Sequence, residues 1–327
     1  MTASRQVWVR HGLIASVPAN NDCWRTHVQA PTVLPIDHRR WRMYVGGRDA
    51  NNRSRIFALD IDPADRCRVL ASGESPVLDL GAPGAFDGDG VGPASVLRVG
   101  DEVWLYYTGV EAGSDVPYKL QIGLAISADG GRTFRRADVN PVLGTSASDP
   151  HFVSTPCVWA VKGGWRCLYM SCVGWDHYDG RWESLYHLKQ ADSADGLVWT
   201  VSDAPAIELQ ANEAGLARPT VQPLPDGRWQ AWFSVRGRYQ FRNPSGETYR
   251  LQTATSLDGM SWQRDTESFQ WSPPPDPACD WDGWMQTNPC VLAYGGRWLL
   301  FYNGNDFGGR GVGWASRAGS GTSGIDG

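Results

Sequence analysis

The chain has 327 residues, carries a formal net charge of −5 and contains no run of basic residues. These features argue against nucleic acids and anionic membrane surfaces as partners, because both attract basic patches. No stretch reaches the ~20 apolar residues that span a bilayer, and the N-terminus lacks the apolar core of a signal peptide, so we expect a cytoplasmic protein.

The first predicted element is the strand RQVWVR at 5–10. After it, one pattern occurs five times: a proline, a short apolar strand, a turn and an aromatic strand. The copies are APTVLPIDHRRWRMYVGG (30–47), GPASVLRVGDEVWLYYTG (92–109), TPCVWAVKGGWRCLYMS (155–171), RPTVQPLPDGRWQAWFS (218–234) and NPCVLAYGGRWLLFYNG (288–304). Because the spacing between copies is nearly constant, the sequence indicates a repeat architecture.

Each copy predicts a hairpin of two strands. A third strand follows, such as IGLAIS (122–127), and ends in a turn of the type SADGGRTF, SADGLVW or SLDGMSW. Ser and Asp hydrogen-bond their own backbone in such turns, and Gly adopts a positive φ there. An aromatic residue then starts a short fourth strand. Five units of four strands predict an all-β fold, the five-bladed β-propeller.

The fifth unit lacks a fourth strand, because GVGWASR (311–317) is followed by AGSGTSGIDG. The N-terminal strand is therefore predicted to supply it, which closes the ring and leaves no exposed sheet edge there. We expect a single domain over 1–317 and a disordered tail over 318–327.

Tryptophan recurs in the second strand of each unit, where we expect it to pack between neighbouring blades. These residues are Trp41, Trp104, Trp165, Trp229 and Trp298. Trp175 and Trp284 instead lie in predicted loops. An aromatic face in a loop suits the apolar C–H patch of a sugar ring, and ordinary loop packing is the alternative.

Polar residues are concentrated in the segments that a propeller brings together around its axis. First strands begin at a central funnel, and the loops from second to third strands open on the same face. The substrate-binding candidates in these segments are His27, Gln29, Arg48, Ser154, Arg218, Trp175, Trp284, Asn288 and Asn303. The candidate catalytic carboxylates are Glu213, Asp89, Asp282 and Asp49.

Several of these candidates have a structural alternative. Asp49 directly follows Arg48, so it could form an ion pair, and Asp89 lies among glycines, where it could stabilise a turn. His27 could act as a base, bind a hydroxyl group or simply be hydrogen-bonded. The histidines and cysteines lack metal-ligand spacing and no Gly-rich phosphate loop occurs, so we expect no metal and no cofactor. A cation on the propeller axis, with ligands from all blades, is the alternative.

The motifs HVQAP, GRDANNRSRI, FDGDGVGP, STPCV, EAGLARP and YNGND follow one another over nearly the whole chain. Their pattern resembles the arabinanase, levansucrase and invertase superfamily of propeller glycoside hydrolases. It is most similar to a glycosidase-like group found in bacterial surface-polysaccharide gene clusters. The resemblance implies a glycan substrate and two or three carboxylates in the axial funnel. This chain departs from the hydrolases at the start of the first inner strand, where His27 and Gln29 stand in place of an Asp.

Glycoside cleavage commonly uses one carboxyl as an acid and a second as a base or nucleophile. The sequence therefore predicts a glycoside hydrolase-like enzyme that acts on a glycan or glycoconjugate, with Glu213 as the preferred general acid. One alternative is a phosphorylase, since Arg forms bidentate contacts with oxyanions. Its phosphate site would contain Arg48, Arg53, Arg218 and His27. Another alternative is a sugar-binding or scaffolding propeller without turnover, because fold alone does not decide function.

Overall fold

The structure is a computed structural model that describes residues 7–265 and 269–319. The chain starts with β1 (Val7–Ala15), and four antiparallel groups follow. Group 1 consists of β2 (Thr26–Pro35), β3 (Trp41–Arg48), β4 (Ser54–Asp62) and β5 (Arg68–Ser72). Group 2 consists of β6 (Gly90–Val99), β7 (Glu102–Ala112), β8 (Tyr118–Ser127) and β9 (Arg135–Arg136). Group 3 consists of β10 (Val153–Val161), β11 (Gly164–Tyr178), β12 (Arg181–Ser193) and β13 (Thr200–Val201). Group 4 consists of β14 (Glu213–Pro223), β15 (Trp229–Gly237), β16 (Arg250–Ser256) and β17 (Gln263–Arg264).

Group 5 combines the two ends of the chain. It contains β18 (Gln270–Ser272), β19 (Thr287–Tyr294), β20 (Arg297–Asn303), the single turn α1 (Asn305–Gly308), β21 (Val312–Ala318) and β1. β1 pairs antiparallel with β21, with Val9 opposite Ser316 and Arg10 opposite Ala315. The N-terminal strand thus adds to the outer side of group 5. Val9 and Arg10 pair with β21 as predicted, Val7 and Trp8 pair with β18, and Gln6 lies outside the described residues. β21 ends at Ala318, one residue beyond the expected boundary, and residues 320–327 of the expected tail also lie outside the described part.

The Ser-x-Asp-Gly turns have the structural role that the sequence predicts. In the turn after β8, the hydroxyl of Ser127 donates a 2.6 Å hydrogen bond to Asp129 and accepts one of 2.9 Å from the amide of Gly131. The same contacts recur in the turns that begin at Ser193 and Ser256. Each turn therefore satisfies its own backbone before the short fourth strand begins.

The first strand of every group contains an irregularity at the repeat proline. The pairing register shifts next to the proline in all five first strands, which marks a β-bulge. In four groups the residue before the proline has a positive φ between 46° and 56°; these residues are Ala30, Thr155, Arg218 and Asn288. Such a conformation is uncommon for non-glycine residues and persists only where the surrounding structure enforces it. The bulges interrupt the ladder and free backbone carbonyls in the middle of the molecule.

Five clusters of buried apolar side chains hold the groups together. Four draw their buried members from two consecutive groups, and the cluster of groups 3 and 4 also contains Trp284 and Met285 from the segment before β19. Tyr44 and Leu105 belong to the cluster of groups 1 and 2, whereas Phe57 and Phe301 belong to the cluster of groups 1 and 5. All five predicted tryptophans of the second strands pack in these clusters. Full burial of one large apolar side chain contributes about 1.5–3 kcal/mol, so these contacts are a main source of stability.

Neighbouring groups are also joined by hydrogen bonds onto the Ser-x-Asp-Gly turns. Tyr44 of group 1 donates a 2.8 Å bond to the carbonyl of Gly131 in group 2, and Tyr106 of group 2 donates a 2.7 Å bond to Gly196 in group 3. The phenol of each tyrosine is buried. Because each phenol donates a hydrogen bond, its burial does not carry the cost of an unpaired polar group.

A cavity of about 500 Å³ is lined by residues from the first strands of all five groups: β2, β6, β10, β14 and β19. Its lining begins at or after the repeat proline in four of these strands and at Arg218, just before the proline, in β14. The cavity therefore occupies the far half of the first strands, away from the ends at which those strands begin.

Candidate functional site

The beginning of each first strand lies beside the loop that joins the second and third strands of its group. Thr26 pairs with Arg48 in group 1, and Thr287 pairs with Asn303 in group 5. We call this end of the groups the mouth. Within these groups, the start of the first strand and the loop between the second and third strands therefore lie side by side, as predicted.

Arg48 and Gln29 form the centre of the mouth in group 1. The Nε of Arg48 donates a 2.7 Å hydrogen bond to the side-chain oxygen of Gln29, and its Nη1 donates one of 2.9 Å to Asn52. Both partners are neutral. The pKa of Arg48 is lowered by burial and by the nearby Arg242, which shows that the guanidinium charge is poorly solvated and close to a second cation.

His27 lies next to Arg48, and burial followed by the Arg48 charge lowers its pKa to about 4. The imidazole is therefore neutral at physiological pH, and its Nδ1 lies 3.0 Å from the hydroxyl of Thr26. His27 also has a φ of 62°, and its carbonyl accepts a 2.6 Å bond from the indole of Trp24. A neutral imidazole can accept or donate a hydrogen bond to a sugar hydroxyl.

Asn288 and Asn303 connect group 5 to group 1. The side chain of Asn288 donates a 2.9 Å bond to the side-chain oxygen of Asn303, which also accepts a 2.7 Å bond from the amide of Ala30. Asn303 is fully buried and also donates to the carbonyl of Val28. The structure thus brings five of the predicted substrate-binding residues to one place. We call them, together with Asn52, the mouth site: His27, Gln29, Arg48, Asn52, Asn288 and Asn303.

Glu183 and Arg242 are mouth residues that the sequence pattern does not single out. Arg242, in the loop after β15, holds Glu183 of β12 with two hydrogen bonds of 3.0 and 3.1 Å. Its guanidinium also lies 5.2 Å from the ring of Phe307. Phe307 has a φ of 55°, and the backbone of the next residue, Gly308, packs on the carbonyl of Val28 in the mouth. The segments between second and third strands differ in length and sequence between units, so the repeat pattern gives no signal for these residues.

An aromatic wall lies beside β12, next to Ser184, the residue that follows Glu183. Trp175, one of the predicted sugar contacts, packs against Tyr118 at 5.3 Å and Phe152 at 5.7 Å between ring centroids. The phenol of Tyr118 lies 3.1 Å from the hydroxyl of Ser184. Trp175 is half-buried, so one part of its ring remains open to a ligand.

Asp282 requires a correction, because the structure places it inside group 5 and not at an open surface. Its side chain is fully buried, accepts a 2.6 Å bond from Tyr302 and forms an ion pair with Arg10 of β1. Asp87 and Asp149 occupy the corresponding positions in groups 2 and 3 and accept bonds of 2.8 and 3.0 Å from tyrosines of their own second strands. The acid before a first strand is therefore an anchor that holds the strand start onto its own group.

Glu213 is the group 4 form of the same anchor, which favours a structural role over the predicted role as general acid. Arg264 of β17 binds both carboxylate oxygens, at 2.6 and 2.7 Å. Phe233 stands where groups 2, 3 and 5 have the tyrosine, and the Arg264 guanidinium lies 5.6 Å from its ring. Arg264 lies in the outer strand of the same group, so this pair supports a structural role for Glu213, whereas Arg242 reaches Glu183 from the neighbouring group.

The two other predicted carboxylates differ in environment. Burial alone would raise the pKa of Asp49, but hydrogen bonds from Arg55 and from the amides of Arg53 and Asn51 lower it to about 2. Asp49 is therefore ionised at neutral pH and unsuited to be a general acid. Asp89 is exposed at the start of β6, where one carboxylate oxygen accepts a 2.8 Å bond from the amide of Ala112.

Arg218, Ser154 and Trp284 are buried, so the structure corrects their prediction as substrate contacts. Arg218 is 1% exposed, and its guanidinium reaches across the molecule to backbone oxygens of β2 and β6. Ser154 lies 3.4 Å from the hydroxyl of Thr108, and Trp284 packs in the core of groups 3 and 4. The side chains of all three are therefore held in the interior of the molecule.

Among residues 7–265 and 269–319, no group of three or more His, Cys, Asp or Glu side chains could hold a metal ion. In the same part of the chain, no helix has the length and apolar character that crossing a membrane requires.

Known proteins resemble this chain in sequence and in fold. No family model matches the chain. The chain is 33% identical over 309 residues to "Uncharacterized protein MT1551" of Mycobacterium tuberculosis (strain CDC 1551 / Oshkosh), with 94% of this chain and 98% of that protein covered. It is 32% identical over 308 residues to "Uncharacterized protein Rv1502" of Mycobacterium tuberculosis (strain ATCC 25618 / H37Rv), with the same two shares covered, 94% and 98%.

Three solved structures share the fold at low sequence identity. A protein described as a glycoside hydrolase has a TM-score of 0.72 and 17% identity, with 98% of this chain and 94% of that protein covered. A thermostable family-43 glycoside hydrolase has a TM-score of 0.62 and 14% identity, covering 93% and 91%. An α-L-arabinofuranosidase of Podospora anserina in complex with cellotriose has a TM-score of 0.63 and 12% identity, covering 97% and 98%. The chain therefore belongs to the family of the two mycobacterial proteins, and its fold is that of the β-propeller glycoside hydrolases.

Proposed function

We propose that the protein acts on a glycan or glycoconjugate at the mouth, as a glycoside hydrolase-like enzyme. The observation that carries this proposal is the carboxylate of Glu183, which Arg242 orients within the mouth beside an aromatic wall. An acid near aromatic rings suits the cleavage of a sugar bound on those rings. Asp89, exposed at the start of the neighbouring β6, is the second carboxyl that glycoside cleavage requires.

The proposal includes the architecture around this site. We infer that the five groups are the blades of a five-bladed propeller, closed by β1 into a single domain. Two observations support the inference: the cavity lined by the first strands of all five groups, and the apolar cluster shared by groups 5 and 1. In such a ring the mouth surrounds the axis, and residues of different groups can contact one substrate.

The test begins with a screen of aryl glycosides and natural oligosaccharides, with and without inorganic phosphate. For a substrate found in this way, Glu183→Gln should lower kcat by about 10²–10⁴-fold, as expected for the loss of an acid or base. Glu213→Gln is the matched control: it should lower the melting temperature and leave kcat near the wild-type value. If Glu183→Gln is as fast as wild type, Glu183 is not catalytic. If the wild type binds sugars and cleaves none, the protein is a sugar-binding propeller.

Phosphorolysis is the second candidate, and one observation favours it. Arg48 has neutral hydrogen-bond partners, and the neutral His27 lies beside it, a combination that could hold a phosphate near the sugar. Turnover that depends on inorganic phosphate and releases a sugar phosphate would identify this reaction.

A further inference from the structure

Arg48 is a cation of the mouth whose charge has no carboxylate partner within the described part of the chain. Its Nε and Nη1 donate to the amide oxygens of Gln29 and Asn52. Taking a charge out of water is costly unless an opposite charge or strong hydrogen bonds compensate for it. Burial and Arg242 both lower the pKa of Arg48, and its two amide partners supply no opposite charge.

The neighbouring charges do not provide the missing anion. Arg242 is paired with Glu183, and Asp49 is held by Arg55 at 2.9 Å and by Arg53 at 3.1 Å. His27 is neutral, since its pKa is about 4. The mouth site thus keeps one uncompensated positive charge in a protein whose formal net charge is −5.

The hydrogen bonds of Arg48 also leave part of its guanidinium free. Gln29 and Asn52 accept from Nε and Nη1, and within residues 7–265 and 269–319 the Nη2 group donates to no other atom. Nη2 and the second hydrogen of Nη1 form the end of the guanidinium fork, the arrangement that binds both oxygens of a carboxylate. Gln29 and Asn52 fix the orientation of this fork, because they come from β2 and from the loop after β3.

We infer that the mouth binds a sugar acid, with the end of the Arg48 guanidinium contacting the carboxylate of that sugar. The inference rests on the proposed function and narrows its substrate to an anionic glycan. One uncompensated positive charge matches a monoanionic carboxylate better than a phosphate dianion, which would leave a negative charge unpaired in the mouth. Inorganic phosphate has related oxyanion chemistry, so it is the rival ligand in the test.

The experiment measures binding and not turnover. Glucuronate, galacturonate and mannuronate are titrated into wild-type protein, each against its neutral uronamide and its parent hexose, and inorganic phosphate is titrated separately. A charged hydrogen bond favours the matching ligand by roughly 10- to 100-fold. We expect at least one uronate to bind about tenfold tighter than its amide, with the preference lost in Arg48→Gln and kept in Arg68→Gln. Arg68 is an exposed arginine of the same group, paired with Asp65, and serves as the matched control.

Equal affinity for acid and amide, or a preference that persists in Arg48→Gln, would overturn the inference. Phosphate that binds tighter than every uronate and is lost in Arg48→Gln would also overturn it, by assigning the anion to free phosphate. If Arg48→Gln does not fold, Arg48→Lys and the acid–amide comparison in wild type remain decisive, because Lys keeps the charge without the fork. Wild type that prefers uronates and cleaves no glycoside would keep this inference and refute the proposed hydrolysis. Cleavage of neutral glycosides without a uronate preference would support the proposed hydrolysis and refute this inference.

Discussion

Tyr302 donates a 2.6 Å hydrogen bond to Asp282, and neither side chain has contact with solvent. Arg10 of β1 binds the same carboxylate. This contact joins the second strand of group 5, the segment before its first strand and the N-terminal strand. It gives a structural reason for an acid to recur before first strands.

We expect Asp282→Asn to lower the free energy of unfolding by about 3–5 kcal/mol, because it leaves the buried charge of Arg10 without its main partner. Urea denaturation measures the change. Asp226→Asn, at an exposed ion pair, is the control and should change stability by less than about 1 kcal/mol. A fully stable Asp282→Asn that has lost activity would instead return Asp282 to the catalytic candidates.

Removal of residues 1–10 should lower the melting temperature more strongly than removal of residues 1–6. The longer deletion takes away Arg10 and the part of β1 that pairs with Ala315 and Ser316, whereas the shorter one leaves β1 in place. Differential scanning calorimetry of both truncations compares them directly. Equal melting temperatures would mean that the outer strand of group 5 contributes little to stability.

Arg218→Met should destabilise the protein even though it removes a buried charge. The guanidinium donates to the carbonyls of Pro31, Pro93 and Ala94 at 2.7 to 2.9 Å, and each buried carbonyl left unpaired costs roughly 1–3 kcal/mol. We expect a loss of at least about 2 kcal/mol in urea denaturation. Arg98→Met, at an arginine near the exposed end of the same cavity, should stay close to wild type. An unchanged stability of Arg218→Met would show that water replaces the guanidinium at no cost.

The low pKa of His27 predicts a stability change with pH. Its pKa is about 4 in the folded protein, compared with 6.5 for an unperturbed histidine. Between pH 6.5 and pH 4, His27 therefore binds a proton in the unfolded chain but not in the folded chain. Stability falls as pH decreases from 6.5 towards 4. The drop in melting temperature between about pH 7 and about pH 5 should be smaller in His27→Asn than in wild type. Asn tolerates the positive φ of this position. An identical drop in both proteins would mean that His27 does not titrate as stated.

Most of the local structure could be predicted because its causes are local. A Ser-x-Asp-Gly turn forms its hydrogen bonds within a few residues, and Trp41 or Trp298 marks a second strand wherever the repeat places it. The pairing of β1 with β21 also follows from counting strands, because one unit is a strand short.

The direction of the carboxylates could not be predicted in the same way. Asp282 and Glu213 occupy the position expected of funnel acids. Each side chain nevertheless points into its own group, because Asp282 binds Tyr302 and Arg10 and Glu213 binds Arg264. These partners are far away in sequence. A usable signal existed in the repeat itself, since Tyr107, Tyr169 and Tyr302 recur where an acid precedes the first strand.

The sites at the mouth could be predicted in part, for a related reason. His27, Gln29 and Arg48 lie in β2 and β3, which pair with each other, so their meeting could be expected despite the register shifts on either side of Gln29. Glu183, Arg242 and Phe307 depend on loops that follow no repeat, and Phe307 also needs a left-handed backbone that its residue type does not suggest.

The bonds of Tyr44 to Gly131 and of Tyr106 to Gly196 have a consequence for how such a protein can evolve. Each of these groups carries a donor that reaches the next group, and the turn of that next group receives it. A duplicated unit would therefore already match its own copy on both sides. Adding a unit by gene duplication therefore requires no new contact between groups, and the loops at the mouth are free to diverge.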